Sequence, residues 1–262
     1  MQIGCVRVLV TAVARTANRL SSRSRSADGV SGVLNFFARR ARRVYRFFVP
    51  KPRCCICGGT RFNRGAKGRL SATGKLPHCR SCKSLERHRI FRKILLQLRP
   101  ERFGAWRCLQ FSRDPTVRPE WFASFEVSIY GKANSLDLQK IDRPDESYDV
   151  IICNHVLEHV ADYRAALREL RRVLSPRGFL LLSFPDPYRL QRTEDWGHPD
   201  PEQHHHYRVF GRDVEPVIAA EMRDCQMVRM VARDDVTGTV DMAYVITRNA
   251  KLAERARRNG GR

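Results

Sequence analysis

Asp149-Val-Ile-Ile-Cys-Asn-His-Val-Leu-Glu-His-Val160 decides the fold of this chain. Val150, Ile151, Ile152 and Cys153 form a short unbroken apolar run, which suits a strand buried on both faces of a parallel sheet. Polar Asn154, His155, Glu158 and His159 follow at once. In open α/β sheets, ligands bind just past the carboxyl ends of the strands, so these four side chains stand where a ligand is expected. Further on, Ala166, Leu167, Leu170, Val173 and Leu174 recur at helical spacing and predict a helix from Tyr163 to Leu174. Ser175-Pro-Arg-Gly178 then predicts a turn into a second apolar strand, Phe179 to Phe184. The result is a strand–helix–strand unit whose two strand tips face one crevice.

The charge is unevenly spread. The 262 residues carry a formal net charge of +22. Residues 1–53 hold twelve Lys/Arg against one acid (Asp28), and residues 54–104 hold thirteen against two (Glu86 and Glu101). Residues 105–262 hold twenty-four of each sign. All the excess therefore lies ahead of the strand–helix–strand unit, which implies an appendage drawn to an anionic partner: nucleic acid, an acidic glycan or an anionic membrane surface. A solvated, partly disordered leader is the plainer reading of residues 1–32. Within residues 33–49, Val33, Phe37, Ala41, Val44 and Phe48 recur at three- and four-residue steps among five arginines. This predicts a basic amphipathic helix, either docked on the rest of the chain or lying on a membrane surface. No stretch approaches the length of a membrane span, and Val8 to Ala14 is a very short signal-like core. The expectation is a cytoplasmic protein, with attachment to the inner face of the membrane through 33–49 left open.

Four of the nine cysteines are spaced as two knuckles, Cys54-x-x-Cys57 and Cys79-x-x-Cys82. Four thiolates on two short turns suit a tetrahedral Zn²⁺, and about 50 residues with little apolar content need a metal to hold a fold. Two disulfides in an oxidising compartment are the competing reading. Cys55 reads as a spectator, and Cys5, Cys108, Cys153 and Cys225 as isolated or buried thiols.

The stretch from Asp149 to Val160, then Ala165-Ala-Leu-Arg-Glu-Leu-Arg-Arg-Val-Leu-Ser-Pro-Arg-Gly178, then Leu181-Leu-Ser-Phe-Pro185, resembles the second half of a class I S-adenosylmethionine-dependent methyltransferase of the type 11 group. The likeness runs from Trp106 to Thr247. Cys54 to Cys82 followed by Ser84-Leu-Glu-Arg-His-Arg89 resembles a bacterial arrangement in which a zinc ribbon precedes such a domain, in some cases alongside glycan-building enzymes. The fold this implies is a Rossmann-like sheet with helices on both faces, preceded by a small zinc-ribbon module and a basic helical leader. The implied segments are 1–53 for the leader, 54–104 for the module and linking helix, 105–248 for the methyltransferase domain and 249–262 for a basic tail. Strands are expected at Trp106–Phe111, Phe125–Tyr130, Met227–Val231 and an antiparallel Val240–Thr247, with a helix at Asp213–Met222.

The resemblance also implies a cofactor site. Asp137 would face the adenine amino group, Asn154 and His155 would line the methionine end, Gly131 would allow close backbone approach, and Asp114 would stand in the first turn. Two family features are missing: Ser112-Arg-Asp-Pro115 has no glycine, and no acid ends the second strand. Glu158 and His159 resemble residues that help bind a divalent metal in ubiquinone-pathway O-methyltransferases; capping of the next helix is the alternative. His155-x-x-Glu158-His159 also matches the inverted zinc-protease pattern, which requires a helix and a further carboxylate ligand. Methyl transfer to oxygen or nitrogen needs a base, and His155 and His206 are the candidates. The polar stretch from Asp186 to Gln203 is long enough for a lid over the acceptor. Tyr207 and Arg208 are the candidate acceptor contacts, Arg208 by clamping an anion. The leading expectation is methylation of a saccharide, lipid-linked glycan or related metabolite. The others are an rRNA or tRNA methyltransferase whose basic module binds RNA, and a catalytically dead, zinc-stabilised binding protein.

Overall fold

The computed structural model describes residues 51–99 and 103–260. The leader up to residue 50, its amphipathic helix at 33–49 and Cys5 lie outside the described residues. From Pro52 onward the chain forms one compact unit. Its elements are β1 (Phe62–Asn63), β2 (His78–Cys79), α1 (Glu86–Gln97), β3 (Arg107–Phe111), β4 (Ser124–Ser128) and β5 (Tyr148–Asn154). Then follow α2 (Tyr163–Val173), β6 (Leu174–Ser183), β7 (Glu194–Asp200), β8 (His206–Val209), α3 (Val214–Glu221), β9 (Gln226–Arg233), β10 (Val240–Thr247) and α4 (Ala250–Gly260).

Six strands make the central sheet in the order β4-β3-β5-β6-β10-β9. The four from β4 to β6 are parallel, and β10 runs antiparallel to both of its neighbours. Strand alternation sorts the apolar side chains into two layers. Leu109, Ile151, Cys153, Leu180 and Leu182 face α2 and α3, where Leu167, Leu170, Val214 and Ile218 meet them. Cys108, Val150, Ile152, Phe179 and Leu181 face α1 and α4, where Ile90, Phe91, Ile94, Leu252 and Ala256 meet them. This explains why the Val150–Cys153 run is apolar at every position: both of its faces are covered. α4 is the element that the sequence left as a helical or frayed tail, and its buried Leu252, Ala253 and Ala256 tie it to the sheet.

The turn expected at Ser175–Gly178 is instead a bulge within one long strand. Tyr148 pairs with Leu174 and Val150 with Phe179, so the intervening residues loop out without ending β6. Gly178 is required there, since a Cβ at this position would lie 2.0 Å from the Asp149 carbonyl oxygen. The bulge brings its own polar groups onto buried Asp149. That carboxylate accepts hydrogen bonds from Ser175 Oγ (2.7 Å), from Arg177 Nε and Nη2 (2.8 Å each) and from the Arg107 backbone N–H (2.9 Å). Burial alone would raise its pKa. The Arg177, Arg107 and Ser175 contacts outweigh burial and bring it down to about 2. A depressed carboxylate pKa stabilises the fold above the unfolded value and loses that contribution as pH falls through the folded one. Chemical denaturation is therefore expected to show stability falling between about pH 5 and pH 2. Asp149→Asn should lower stability at pH 7 by about 2 kcal/mol and flatten the acid limb. An unchanged limb would remove Asp149 from that role.

Candidate active site and cysteine cluster

The tips of β3, β5 and β6 are tied together by side chains. Ser183 Oγ donates to Asn154 Oδ1 (3.2 Å), and Asn154 Nδ2 donates to Asp114 Oδ2 (3.2 Å). Asp114 Oδ1 accepts from the Thr116 backbone N–H (2.7 Å). The turn after β3 has no glycine, yet Ser112 adopts the left-handed conformation (φ 63°) that a glycine would serve. Side chains hold the turn in place of backbone permissiveness. Gln110 Nε2 donates to the carbonyls of Ser112 (2.8 Å) and Asp114 (3.1 Å), and buried Arg92 donates to those of Pro115 and Thr116. Gln110 and Arg92 are supports of the candidate cofactor turn that sequence reading missed. Gln110 sits in an apolar strand and Arg92 in a helix, and nothing local marks either as a turn support.

The other expected cofactor residues are spread around this tip. Gly131 (φ 70°) is exposed, with open space where a Cβ would stand. Exposed Asp137 forms a backbone β-bridge with Lys140, and its Oδ1 accepts from the Gln139 backbone N–H (2.9 Å) and side chain (3.2 Å), while Oδ2 has no hydrogen-bond partner among the described residues. His155 has φ 52°, its N–H donates to the Ser183 carbonyl (2.8 Å), and its buried Nε2 has no partner. From α1, Phe91 lies 6.1 Å from the His155 ring. His88, also on α1, accepts from the Leu85 N–H through Nδ1 (3.2 Å). Burial brings its pKa down to about 4, outweighing the opposing field of Asp114.

Leu157–His159 is a single 3₁₀ turn. Glu158 points inward and is only 1 % exposed. Neither of its oxygens has a hydrogen-bond partner, and His155 Nδ1 lies 3.4 Å away without hydrogen-bond alignment. Ligand atoms of Glu158, His159 and His206 all lie within 4.8 Å of one another. The His159 and His206 rings meet edge to face at 4.6 Å. Burial lowers the pKa of His206, with Glu158 opposing. The capping role for Glu158 and His159 is not seen, because Asp162 caps α2 by accepting from the N–H groups of Arg164 (3.0 Å) and Ala165 (2.9 Å).

The expected lid loop is structured. β7 and β8 pair antiparallel, joined through a 3₁₀ turn at Pro201–Gln203 and left-handed His204 and His205. Arg208 does not stand free to clamp an anion. It is buried, with Nε on Asp195 Oδ2 (2.7 Å), Nη2 on the Ala161 carbonyl (2.7 Å) and Nη1 on the Val160 carbonyl. Three of its five donors fasten the hairpin to the segment after Glu158. Half-buried Tyr207 lies beside it, its ring 5.6 Å from the guanidinium carbon.

The four knuckle cysteines come together as their spacing predicts. Cys54 Sγ and Cys82 Sγ are 3.7 Å apart, and Cys57 Sγ and Cys79 Sγ are 3.6 Å apart. A disulfide would need about 2.05 Å. A tetrahedron with metal–sulfur bonds of about 2.3 Å has edges of about 3.8 Å, so the donor set fits Zn²⁺. Ser84 Oγ reaches Cys54 (3.4 Å) and Cys82 (3.2 Å). Burial raises the Cys54 pKa, but hydrogen bonds from Ser84 and from the Cys57 and Ile56 backbone outweigh it and leave the thiol at about 7. Cys55 stands apart: its thiol donates to the Arg89 carbonyl (3.5 Å), and burial pushes its pKa up to about 11.

Residues 95–213 match the family described as a methyltransferase domain. Among solved structures, protein BH2331 of Bacillus halodurans C-125 is 11 % identical, with 63 % of this chain and 80 % of that one covered at a TM-score of 0.39. The 1,6-didemethyltoxoflavin-N1-methyltransferase of Burkholderia thailandensis, solved with S-adenosylhomocysteine, is 14 % identical (60 % and 76 % covered, TM-score 0.38). The methyltransferase CalH, solved with the same product, is 15 % identical (61 % and 57 % covered, TM-score 0.41). No curated protein matches the chain. Among the described residues no helix is long and apolar enough to cross a membrane. Residues 95–213 thus carry a methyltransferase domain, and within it a parallel sheet brings its polar strand tips together around Asn154.

Proposed function

We propose that this domain methylates a hydroxyl oxygen, or an amine nitrogen, of a saccharide, lipid-linked glycan or related metabolite. One observation carries the reading: Glu158 is buried with neither oxygen hydrogen-bonded among the described residues, His155 Nδ1 lies 3.4 Å away, and His159 and His206 stand beside it. A buried carboxylate without hydrogen bonds is costly. Such a cost is understandable where an acceptor must be held and deprotonated, and a hydroxyl needs that help more than an amine does. The polar hairpin of β7 and β8, fastened by Arg208, would cover the acceptor.

S-adenosylmethionine, when bound, supplies a methyl group on a positively charged sulfur. The open space at Gly131, the free Oδ2 of Asp137 and the orphaned Nε2 of His155 fit it. Asp137 would hold the adenine amino group, and Asn154 and His155 the methionine end. Asp114 contributes by fixing Asn154. His206, kept neutral by burial, would take the acceptor proton, with His155 as the other candidate base. Glu158, His159 and His206 also fit a divalent cation, which would polarise the acceptor hydroxyl. Cys54, Cys57, Cys79 and Cys82 would hold a structural Zn²⁺ that fixes the front module.

Calorimetric titration of the zinc-loaded chain with S-adenosylmethionine is the first test, and absence of binding by folded protein would overturn the reading. Gln110→Leu keeps the buried volume but releases the first turn, and should weaken cofactor binding about tenfold. Unchanged affinity would mean the turn holds itself. Labelled methyl transfer should go to saccharide or glycan-lipid fractions and not to ribosomal or transfer RNA. In that assay Glu158→Gln and His206→Asn should each slow turnover by about 100-fold, with cofactor affinity preserved. Loss of activity on chelation, restored by Mg²⁺ or Mn²⁺, would assign the three residues to a cation. Indifference to chelator would assign them to proton transfer. Elemental analysis should find one zinc per chain, and Cys57→Ser should release it; a full complement in that variant would reject the Cys₄ site.

A further inference from the structure

Beside the cysteine cluster lies an open depression of about 520 Å³, lined by Arg53, Arg61 and Arg80, the Thr60 and Ser81 side chains and the Gly58–Gly59 turn. No acidic residue lines it. Other arginines nearby are paired. Arg69 bridges Glu86 (2.6 Å), Arg89 bridges Asp234 (2.8 Å), and Arg92 holds the Pro115 carbonyl (2.8 Å). The side chains of Arg53, Arg61 and Arg80 have no hydrogen-bond or ion-pair partner among the described residues. Like charges gathered around one concavity repel each other, and an anion in their midst relieves that repulsion. A Zn²⁺ held by four thiolates carries a net charge of about −2, which offsets part of the cluster and leaves a positive remainder.

We infer that this depression binds the diphosphate group of a glycosyl carrier, placing the acceptor's anionic end on the cysteine module. The inference rests on the saccharide reading for what bears the diphosphate, but not for the binding of diphosphate itself. Three planar guanidinium forks match phosphate oxygens bidentately, and two hydroxyls can complete the shell. The volume exceeds what a single phosphate fills. Nucleic acid fits less well. Single-stranded RNA recognition relies on exposed aromatic platforms, and Phe62, the one Phe, Tyr or Trp of residues 54–85, is half-buried with Arg89 5.4 Å from its ring centre. The shared chemistry is a diphosphate, whether it comes from a nucleotide-activated sugar or a lipid-linked one.

The test is calorimetric titration of the full-length, zinc-loaded chain with inorganic pyrophosphate, with zinc content measured on every sample. Substituting Arg53, Arg61 and Arg80 together by glutamine should weaken binding on the order of 100-fold with zinc retained. The triple lysine variant keeps the charge but loses the forks, and should weaken it about tenfold. Arg64→Gln, on the same module but not lining the depression, should change nothing. Competition by a nucleotide diphosphate sugar, or by a polyprenyl diphosphate in detergent micelles, would support the inference and identify the carrier. It is overturned if wild type does not bind pyrophosphate, if the glutamine triple binds as well as wild type, or if that triple releases zinc, which would assign the arginines to the metal's charge. Displacement of pyrophosphate by a transfer RNA transcript but by neither diphosphate carrier would also overturn it, in favour of nucleic acid. Pyrophosphate binding without methyl transfer to any saccharide would sink the proposed acceptor class and leave this site standing.

Discussion

The bidentate pair of Arg89 and Asp234 is the constraint on which the arrangement of the protein depends. Both side chains are almost wholly buried, and Nε and Nη2 each donate to a carboxylate oxygen at 2.8 Å. Arg89 also donates to the Pro77 and Ser84 carbonyls, so one guanidinium joins the cysteine module, α1 and the β9–β10 turn. Asp234 is completed by the backbone N–H and hydroxyl of Thr237, whose carbonyl accepts from Thr73 of the module (2.6 Å). Burial would raise the Asp234 pKa, and Arg89 and Thr237 outweigh it. A buried pair of this kind is weak evidence of net stabilisation, but breaking it leaves an uncompensated charge, at about 3–5 kcal/mol. It acts as a geometric lock. The module cannot shift without exposing or stranding a charge, and α1 is held where His88 and Phe91 form part of the site.

The same logic explains how the domain manages without a glycine-rich first turn. Glycine would let the backbone reach a left-handed conformation at little cost. Here Ser112 takes that conformation and the cost is offset by fixed donors: Gln110 from within β3 and Arg92 from α1. Arg92 stacks on Trp121 at 4.6 Å, so the turn is tied to two elements outside itself. The position of the first turn thereby depends on α1, and through α1 on the Arg89–Asp234 lock. Front module and cofactor site are mechanically continuous, although the sequence reads as separate segments.

How much was legible follows from the range of the signals. The Val150–Cys153 run, the α2 spacing and the two cysteine knuckles are local patterns, and each fixes its own element. The positions of Asn154, His155 and Glu158 at a strand tip follow directly from the first of them. The reading failed where a residue's role depends on a distant partner. Arg208 has the chemistry of an anion clamp, and only the fold shows its donors committed to Val160, Ala161 and Asp195. Glu194–Asp200 is mostly exposed and contains Gly197 and Pro199, so it lacks the apolar alternation that marks a strand; its pairing with β8 was invisible. Ser175–Gly178 has the composition of a turn, but its polar groups are directed onto Asp149, and β6 continues through it. Arg92 reaches carbonyls 23 and 24 residues away, so no short window contains both ends of its contacts; those of His88 and Gln110 are local, but nothing in the sequence marks a side chain that folds back onto its own turn.

The distribution of unmet polar groups separates structural from functional regions. The buried charges that hold the unit together are fully partnered: Arg89 with Asp234, Asp149 with Ser175 and Arg177, and Arg208 with Asp195. Among the described residues, buried side-chain N or O atoms without a hydrogen bond occur on Gln97, Gln110, Thr116, His155, Glu158 and Arg248. Two sets of groups bear on the proposed function. At the strand tips, Glu158 and His155 Nε2 are buried without partners. On the cysteine module, three exposed arginines surround a concavity with no acid in it. A buried carboxylate without hydrogen bonds costs more than a neutral amide or hydroxyl in that state, which sets Glu158 apart from Gln97, Gln110 and Thr116. Under the proposed function the two would serve one recognition problem, with an anionic end held at the module and a protic group meeting Glu158 and the histidines. The lock between Arg89 and Asp234 would then also hold the two halves at a fixed separation, since it joins the module to α1 and the β9–β10 turn.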